Sequence, residues 1–216
     1  MCGIVGYIGP REASEVVIGG LQRLEYRGYD SAGVAIYDPE AGLQLRRSVG
    51  KLSNLVARVV REPARGRLGI GHTRWATHGR VTEENAHPHR DASGAIVVIQ
   101  NGIVENYLEL KARLAELGYR FQSQTDTEVI AHLVGHHYRS EGDLEAAMRL
   151  ALAELRGGNA VVAICAHEPD RLVAARLGNA GGVVVGLGQG EAFVASDVPA
   201  ILDHTRDLIF LEDREL

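Results

Sequence analysis

From Asn159 onward the chain holds five short apolar runs, and most of them are separated by only a few residues. The runs read NAVVAIC, RLVAAR, GGVVVGLG, EAFVASD and DLIFLED. Two parallel strands need a crossover connection of a dozen residues or more, whereas antiparallel neighbours can be joined by a tight turn. This spacing therefore predicts antiparallel sheet at this end of the chain.

Further strands are predicted in the first half of the chain. The segment CGIVGYIG is typical of a short buried strand, and GVAIYDPEAGLQLRRS is typical of a hairpin whose turn runs from Asp38 to Gly42. Two more strands, RLGIGHTRW and GAIVVIQNG, each run into a polar cluster.

Apolar residues at helical spacing predict five helices. They cover EASEVVIGGLQRLEYRG, residues 53–60, ENYLELKARLAELG, TDTEVIAHLVGHHYRS and GDLEAAMRLALAELRGG. We expect Gly28 to end the first helix and Leu117 to share the apolar face of the third helix. A capping box from Thr125 to Glu128 should begin the fourth helix, and Asp143 should cap the fifth. Helices grouped early and centrally, with strands at both ends, indicate one layered α+β domain over residues 1–216.

Composition disfavours several classes of function. The formal net charge is −5, which predicts no nucleic-acid partner and no anionic membrane surface. No apolar run approaches the ~20 residues that span a bilayer, and no secretory signal is readable at the N-terminus. The only cysteines are Cys2 and Cys165, too few for a disulfide framework, so we expect free thiols and a cytoplasmic location.

Polar residues interrupt this pattern in four places, each at the end of a predicted element, where functional sites are usually built. These clusters are Cys2, HTRWATHG from His72 to Gly79, QNGIVEN from Gln100 to Asn106, and QTDTEV from Gln124 to Val129.

Cys2 stands out because of its position directly after Met1. If Met1 is removed, Cys2 carries a thiol and a free α-amino group. That amine has a reference pKa of ~7.7 to 8, so it can accept the thiol proton directly or through one water. One residue then supplies both nucleophile and general base. The alternative is a buried thiol near the start of the chain.

The other clusters offer groups that bind a small zwitterion. Arg74 presents a planar guanidinium that fits a carboxylate, and Trp75 can close over a small ligand. Thr77 and His78 add further polar side chains. The alternative is a strand end with a solvated arginine.

A strand that ends in Asn101 and Gly102 suggests an oxyanion hole, built from a side-chain amide and a backbone N–H. Asp126 is able to hold a ligand ammonium group. The alternatives are an Asn-Gly turn and a helix N-cap.

Two other interpretations are weaker. The cluster of His72, His78, His87 and His89 invites a zinc site, but no H-E-x-x-H or C-x-x-C motif accompanies it and Arg74 would repel a dication. We therefore expect no metal and no cofactor. The segment GLGQG resembles part of a phosphate loop, but no lysine follows it, so a turn between strands is favoured.

Taken together, these motifs resemble those of the class II glutamine amidotransferases, which are N-terminal-nucleophile glutaminases. The resemblance covers the whole chain, and the segments that carry it are MCGIVGYIG, LEYRGYDSAG, HTRWATHG, NAHPH, VIQNGIVENY and TDTEVIAHL. They are most similar to the branch of the family that converts fructose 6-phosphate to glucosamine 6-phosphate. The phosphoribosyl-pyrophosphate branch has histidine-arginine-glycine-glutamine-aspartate where this chain has YRGYD.

The resemblance implies a four-layer α-β-β-α sandwich with two antiparallel sheets, and L-glutamine as the ammonia donor. It implies that Cys2 attacks the glutamine amide and forms a γ-glutamyl thioester, with Asn101 and Gly102 as the oxyanion hole. It also implies that Arg74, Thr77 and His78 bind the glutamine α-carboxylate and that Asp126 binds the α-ammonium group. Trp75 would belong to a mobile loop over the glutamine, and Arg27 would lie near the site entrance.

The resemblance also implies sugar isomerase domains downstream in the same polypeptide, with the fructose 6-phosphate site, and a homodimer for the full-length protein. One stretch departs from the family: GNAGGVVVG stands where glycine-serine-proline-leucine is usual. Because it lies outside the four clusters, we expect it to alter a local loop and leave the chemistry unchanged. Two alternatives stay open, a glutaminase domain that serves another synthase and a non-catalytic glutamine-binding domain.

Overall fold

The computed structural model describes residues 2–77 and 79–216, and these contain two sheets and five α-helices. The strands are β1 (Gly3–Ile8), β2 (Ser31–Asp38), β3 (Gly42–Val49), β4 (Leu68–Arg74), β5 (His89–Arg90), β6 (Ile96–Gly102), β7 (Asn159–Cys165), β8 (Glu168–Leu177), β9 (Val184–Leu187), β10 (Ala192–Ala195) and β11 (Asp207–Phe210). The helices are α1 (Ala13–Arg23), α2 (Leu52–Arg61), α3 (Tyr107–Glu116), α4 (Thr127–Glu141) and α5 (Leu144–Ala153). The expectations for Met1 and His78 lie outside the described residues.

Every strand pair in the two sheets is antiparallel, as the short connections predicted. The larger sheet has seven strands in the order β11-β9-β10-β1-β4-β2-β3, and the smaller has four in the order β5-β6-β7-β8. The predicted hairpin is β2 and β3, which pair from Ser31 opposite Val49 to Asp38 opposite Gly42. Strand β1 lies in the interior of the larger sheet, between β10 and β4.

Side-chain alternation along the strands divides the interior into three apolar layers. In β6, Val97 and Ile99 face the larger sheet, whereas Ile96 and Val98 pack against the helices α3, α4 and α5. On the far side, α1 and α2 cover the larger sheet with residues such as Leu21. The order of layers is therefore helix, sheet, sheet, helix, and the predicted α-β-β-α sandwich is confirmed.

Most predicted elements form, with small differences at their ends. Helix α1 ends at Arg23, and one 3-10 turn over Glu25–Arg27 follows before Gly28, which adopts a φ of +72°. Leu117 lies outside α3 with 57% of its surface exposed, so its assignment to the apolar face was wrong. Asp143 caps α5 as predicted, since its carboxylate accepts a hydrogen bond from the Ala146 N–H at 2.8 Å.

The capping box predicted at Thr125 is wrong. Helix α4 begins at Thr127 and has Asp126 at its N-cap position, without a capping hydrogen bond from that side chain. The Glu128 carboxylate turns away from the helix start and accepts the backbone N–H groups of Gln122 and Ser123, both at 2.7 Å. Glu128 thus holds the segment that leads into α4, and the Asp126 carboxylate accepts a hydrogen bond from Val104 and does not cap the helix.

Two further expectations concern single segments. GLGQG begins in the last two residues of β9 and continues into the turn that leads to β10, as favoured above; the turn is closed by the Gly188 N–H, which donates to the Glu191 carbonyl at 2.8 Å. Among the residues that the structure describes, no helix is long and apolar enough to cross a membrane.

Candidate active site

The pairing of β1 with β4 brings Cys2 to the end of β4. Gly3 lies opposite Thr73 in this ladder and donates its N–H to the Thr73 hydroxyl at 3.0 Å. One residue earlier, the Cys2 Sγ accepts a hydrogen bond from the Trp75 N–H at 3.1 Å. The thiol is therefore placed by the register of a central strand, beside the first residues of the HTRWATHG cluster.

The main chain of Cys2 is held from two directions. Its carbonyl oxygen accepts hydrogen bonds from Arg27 Nη1 and from Asn101 Nδ2, each at 3.2 Å. Arg27 is itself anchored by the Asp197 carboxylate at 2.7 Å. Arg27 thus contacts the backbone of Cys2 directly.

Asn101 and Gly102 are the last residues of β6, so the alternative of a two-residue turn is wrong. Asn101 is buried, with 7% of the residue exposed. Gly102 has a φ of +120°, and a Cβ there would lie 2.1 Å from the Gly158 carbonyl oxygen. Only glycine fits at this position, where the end of β6 passes against the residue that precedes β7.

Two opposite charges, on Arg74 and Asp126, face the same cavity as Cys2. Arg74 is 3% exposed and Asp126 is 4% exposed. The Asp126 carboxylate accepts the Val104 N–H at 2.8 Å, which fixes it across from the end of β6. Burial lowers the pKa of Arg74, and the charges of Asp30 and Asp126 oppose that effect, so the guanidinium stays cationic at neutral pH.

Trp75 lies at the mouth of the cavity, where 56% of its surface is exposed. Its ring packs on Gly28, where an added Cβ would lie 2.7 Å from Cζ3. The chain beyond Trp75 is tied down by the Ala76 N–H, which donates to the Asp30 carboxylate at 2.6 Å.

These residues surround one cavity of about 690 Å³. Of the residues predicted to form the site, the ones that line it are Cys2, Arg27, Arg74, Trp75, Thr77, Asn101, Gly102 and Asp126. A larger cavity, of about 870 Å³, opens beside β3 and β5 and contains none of them. The cavity that Cys2 lines is large enough for a small polar ligand such as an amino acid.

The cavity also has lining residues that the sequence reasoning missed: His87, Gln100, Ile103, Thr125, Asn179, Ala180 and Gly181. Gln100, Ile103 and Thr125 lie inside the polar clusters, which was the available signal for them. Residues 179–181 come from the stretch that departs from the family pattern. This stretch lies outside the four polar clusters in the sequence, but in the structure it packs over Gly102 and Gly158 at the cavity wall.

The thiol of Cys2 is neutral at physiological pH in this environment. Burial raises its pKa, and the hydrogen bond from the Trp75 N–H and the charge of Arg74 only partly oppose the effect of burial. A thiol in this state needs a base to remove its proton before the sulfur can act as a nucleophile.

Behind Asn101 lies a row of three buried histidines. The rings of His72 and His87 stack with their centroids 4.2 Å apart, and His87 meets His89 edge to face at 5.0 Å. Burial lowers the pKa of His72 to about 4 and holds those of His87 and His89 below their ordinary value, so all three rings are neutral at pH 7. Within residues 2–77 and 79–216, no group of three or more His, Cys, Asp or Glu side chains is arranged to hold a metal ion.

Comparison with known proteins agrees with this geometry. A family model described as the glutamine amidotransferase domain matches residues 72–203. The chain belongs to this family, in its class II branch, and its sandwich is the N-terminal-nucleophile hydrolase fold. The resemblance drawn from the sequence motifs is confirmed at this level.

Two curated relatives give a more specific likeness. The chain is 57% identical over 217 residues to the isomerizing glutamine–fructose-6-phosphate aminotransferase of Thermus thermophilus, and 51% identical over 215 residues to that of Pyrococcus horikoshii. Both alignments include 100% of this chain but only 35% and 36% of the relatives. The chain thus spans about a third of the length of the curated relatives it matches.

Solved structures support the fold. Glutamine phosphoribosylpyrophosphate amidotransferase from B. subtilis superposes with a TM-score of 0.83 at 26% identity, over 98% of this chain and 46% of that one. A glutamine aminotransferase class-II domain protein from Silicibacter pomeroyi superposes with a TM-score of 0.59 at 18% identity, over 98% of this chain and 92% of that one. The second likeness concerns the fold alone.

The buried histidine row predicts that mild acid weakens the fold. A histidine in the unfolded chain has a pKa near 6.5, so the unfolded state takes up protons before the folded state does. The contribution of His72 is complete above pH 6.5 and is lost as the pH falls towards about 4. Each such histidine contributes up to ~1.4 kcal/mol per pH unit in this window. We expect the free energy of unfolding, measured in urea, to decrease steadily from pH 6.5 to ~5.

The variant His89→Gln separates this effect from other titrations. It removes one histidine from the row, so the pH slope should become shallower by about one proton. Carboxylates interfere little, because they titrate mainly below pH ~4.5. An unfolding free energy that stays constant over this range in the wild-type protein would contradict the assignment of neutral buried rings.

Proposed function

We propose that this chain hydrolyses the side-chain amide of L-glutamine, and that the ammonia serves to convert fructose 6-phosphate to glucosamine 6-phosphate in a longer polypeptide. The observation that carries the proposal is the convergence of the Cys2 thiol, the Arg74 guanidinium and the Asp126 carboxylate on one cavity. A free α-amino acid needs a cation for its carboxylate and an anion for its ammonium group, and its side-chain amide then points to a third place. Cys2 lies at that third place.

In this mechanism Met1 is removed first, so that Cys2 becomes the N-terminal residue. Its amine accepts the thiol proton and the sulfur attacks the amide carbon of glutamine. The negative charge that develops on the amide oxygen is stabilised by the Asn101 side-chain amide and the Gly102 N–H. The carbon–nitrogen bond then breaks, ammonia leaves with the transferred proton, and a γ-glutamyl thioester stays on Cys2. Water attacks the thioester, which releases glutamate and restores the thiol.

The other lining residues complete the pocket. Arg74 binds the glutamine α-carboxylate, a role that the proposal extends to Thr77 and His78, and Asp126 binds the α-ammonium group. Arg27 fixes the Cys2 carbonyl and so keeps the nucleophile in line with its substrate. Trp75 and the residues after it cover the bound glutamine and exclude water from the thioester until ammonia has left.

The rest of the proposal depends on the relatives. Their printed names describe an isomerizing glutamine–fructose-6-phosphate aminotransferase, and this chain corresponds to about a third of their length. We place residues 1–216 as the glutaminase domain, and the sugar isomerase domains with the fructose 6-phosphate site downstream of it. A homodimer and a cytoplasmic location, where thiols stay reduced, belong to the same proposal.

Cys2→Ala should abolish glutamine hydrolysis while glutamine still binds, because the thiol forms the covalent bond and Arg74 and Asp126 carry recognition. Glutamate release measures the first property and titration calorimetry the second. Cys165→Ala is the matched control, since Cys165 is fully buried under the helices on the other side of the smaller sheet. Turnover by Cys2→Ala within about tenfold of the wild-type rate would contradict the nucleophile assignment. Wild-type samples are first shown by intact mass spectrometry to lack Met1.

Arg74→Ala should raise KM for glutamine by roughly ten- to a hundredfold. A hydrogen bond between charged groups contributes ~1.5 to 3 kcal/mol, which converts to that range. Arg74→Lys keeps the charge but loses the fork, so it should fall between the wild-type protein and Arg74→Ala. An unchanged KM in both variants would remove Arg74 from the carboxylate site.

The division of labour is tested with the purified 216-residue chain. Incubated with glutamine, with or without fructose 6-phosphate, it should release glutamate at the same rate and form no glucosamine 6-phosphate. The reason is that coupling between two sites needs both sites to be present. Glucosamine 6-phosphate above the blank would contradict a separate sugar site, and no glutamate from chain lacking Met1 would contradict the glutaminase itself.

A further inference from the structure

The Asn101 side chain has a donor end and an acceptor end, and only one orientation is useful beside a developing oxyanion. The NH₂ group donates two hydrogen bonds, whereas the oxygen only accepts. Rotation by 180° about the terminal bond would replace a stabilising donor with a repelling acceptor. Some part of the structure must therefore hold the amide in the productive orientation.

The contacts of Asn101 settle its orientation. A backbone carbonyl only accepts, so the group that contacts the Cys2 carbonyl oxygen at 3.2 Å is Nδ2. The amide oxygen Oδ1 then points to the other side, where His72 Nε2 lies at 3.0 Å. Because Oδ1 only accepts, His72 Nε2 carries a hydrogen. One hydrogen of Asn101 Nδ2 is used on Cys2, and the second is the one that a substrate oxygen would meet.

A second series of hydrogen bonds fixes the ring of His87, on which the His72 ring stacks. Asn159 Nδ2 donates to the Ile103 and Gly157 carbonyls, so its Oδ1 accepts from Gln100 Nε2 at 2.7 Å. Gln100 Oε1 then accepts the only hydroxyl hydrogen of Thr127, also at 2.7 Å.

Since its hydrogen is already donated, the Thr127 hydroxyl can only accept from His87 Nε2, which lies at 3.0 Å. His87 is thus held in one tautomer and one orientation by groups that lead back to backbone carbonyls. His72 stacks on that ring with an interplanar angle of 24° and is completely buried. His72 has a fixed plane from the stack and a fixed donor direction from its contact with Asn101.

We propose that His72 is a positioning residue for glutamine hydrolysis: its Nε2–H holds Asn101 Oδ1, so that the Asn101 NH₂ group faces Cys2 and the substrate amide. This rests on the proposed function, in which Asn101 stabilises the oxyanion. His72 does not touch the substrate, since it is absent from the cavity lining, and acts through Asn101 alone. It was singled out in the sequence only as a possible metal ligand.

The first test compares His72→Leu with the wild-type protein. Loss of one oxyanion donor lowers kcat by ~10²- to 10³-fold, and His72→Leu should approach that loss while KM for glutamine changes by less than about threefold. His132→Leu is the matched control, because His132 is also a buried imidazole but does not line the cavity, and it should retain wild-type kcat. Thermal unfolding shows whether both variants are folded.

Two polar variants decide the question if His72→Leu does not fold. Glutamine's side-chain N–H reaches about as far as histidine Nε2, whereas asparagine's stops at about the position of Nδ1. His72→Gln should therefore keep kcat within about tenfold of wild type, and His72→Asn should be as slow as the loss of one oxyanion donor. Equal kcat values for the two variants would overturn the proposal.

A double-mutant cycle with Asn101→Ala tests whether His72 acts through Asn101. In the Asn101→Ala background, His72→Leu should change kcat by less than about twofold, because nothing is left to position. Full additivity, or wild-type kcat in His72→Leu, would overturn the inference. Failure of the proposed function looks different, since then wild-type protein lacking Met1 releases no glutamate, or Asn101→Ala leaves kcat unchanged.

Discussion

Strand β1 is held in the interior of the larger sheet by β4 on one side and β10 on the other. A strand paired along both edges cannot slide, because a shift by one residue would turn its buried side chains to the opposite face. The pairing of Gly3 with Thr73 therefore determines that Cys2 lies beside the end of β4, next to Arg74 and Trp75. The hydrogen bonds between β1 and β4 thus decide the position of the thiol.

The second sheet supplies the remaining groups because the two sheets stack face to face. Val97 and Ile99 of β6 pack in the same apolar layer as Ile4 of β1. The C-terminal end of β6 therefore lies close to the N-terminal end of β1, at the edge of that layer. Asn101 then reaches the Cys2 carbonyl, and Asp126 reaches the N–H of Val104 just beyond β6. The candidate site is thus located at the seam of the two sheets, and the apolar layer beneath it keeps the seam closed.

Polar groups at this seam are buried at a cost, and their hydrogen bonds largely offset it. A buried polar group without a partner costs ~1 to 3 kcal/mol, and the hydrogen bonds that join Gln100, Thr127 and His87 offset much of that cost, although His87 Nδ1 has no partner among the described residues. Such a network has one arrangement of donors and acceptors. Rigidity of this kind is what an oxyanion hole requires, because its donors must already point at the place where charge develops.

Local patterns predicted the secondary structure because they depend on neighbours in the chain. The hairpin turn from Asp38 to Gly42 and the Asp143 cap are formed by residues that lie close in sequence, and both were predicted. The capping box at Thr125 failed for the opposite reason. Glu128 found stronger partners in Gln122 and Ser123, whose N–H groups are brought to it by the packing of the segment before α4.

The sequence by itself determined the α+β class, the antiparallel pairing, the family and eight residues that line the cavity, because short motifs and strand spacing record these directly. Only the tertiary structure decided that residues 179–181 form part of the cavity wall and that Arg27 contacts the Cys2 carbonyl. The tertiary structure also showed that His72, considered from the sequence as a possible metal ligand, contacts the Asn101 side chain. These contacts join residues far apart in the chain, and they arise from strand register and sheet stacking, which no local pattern records.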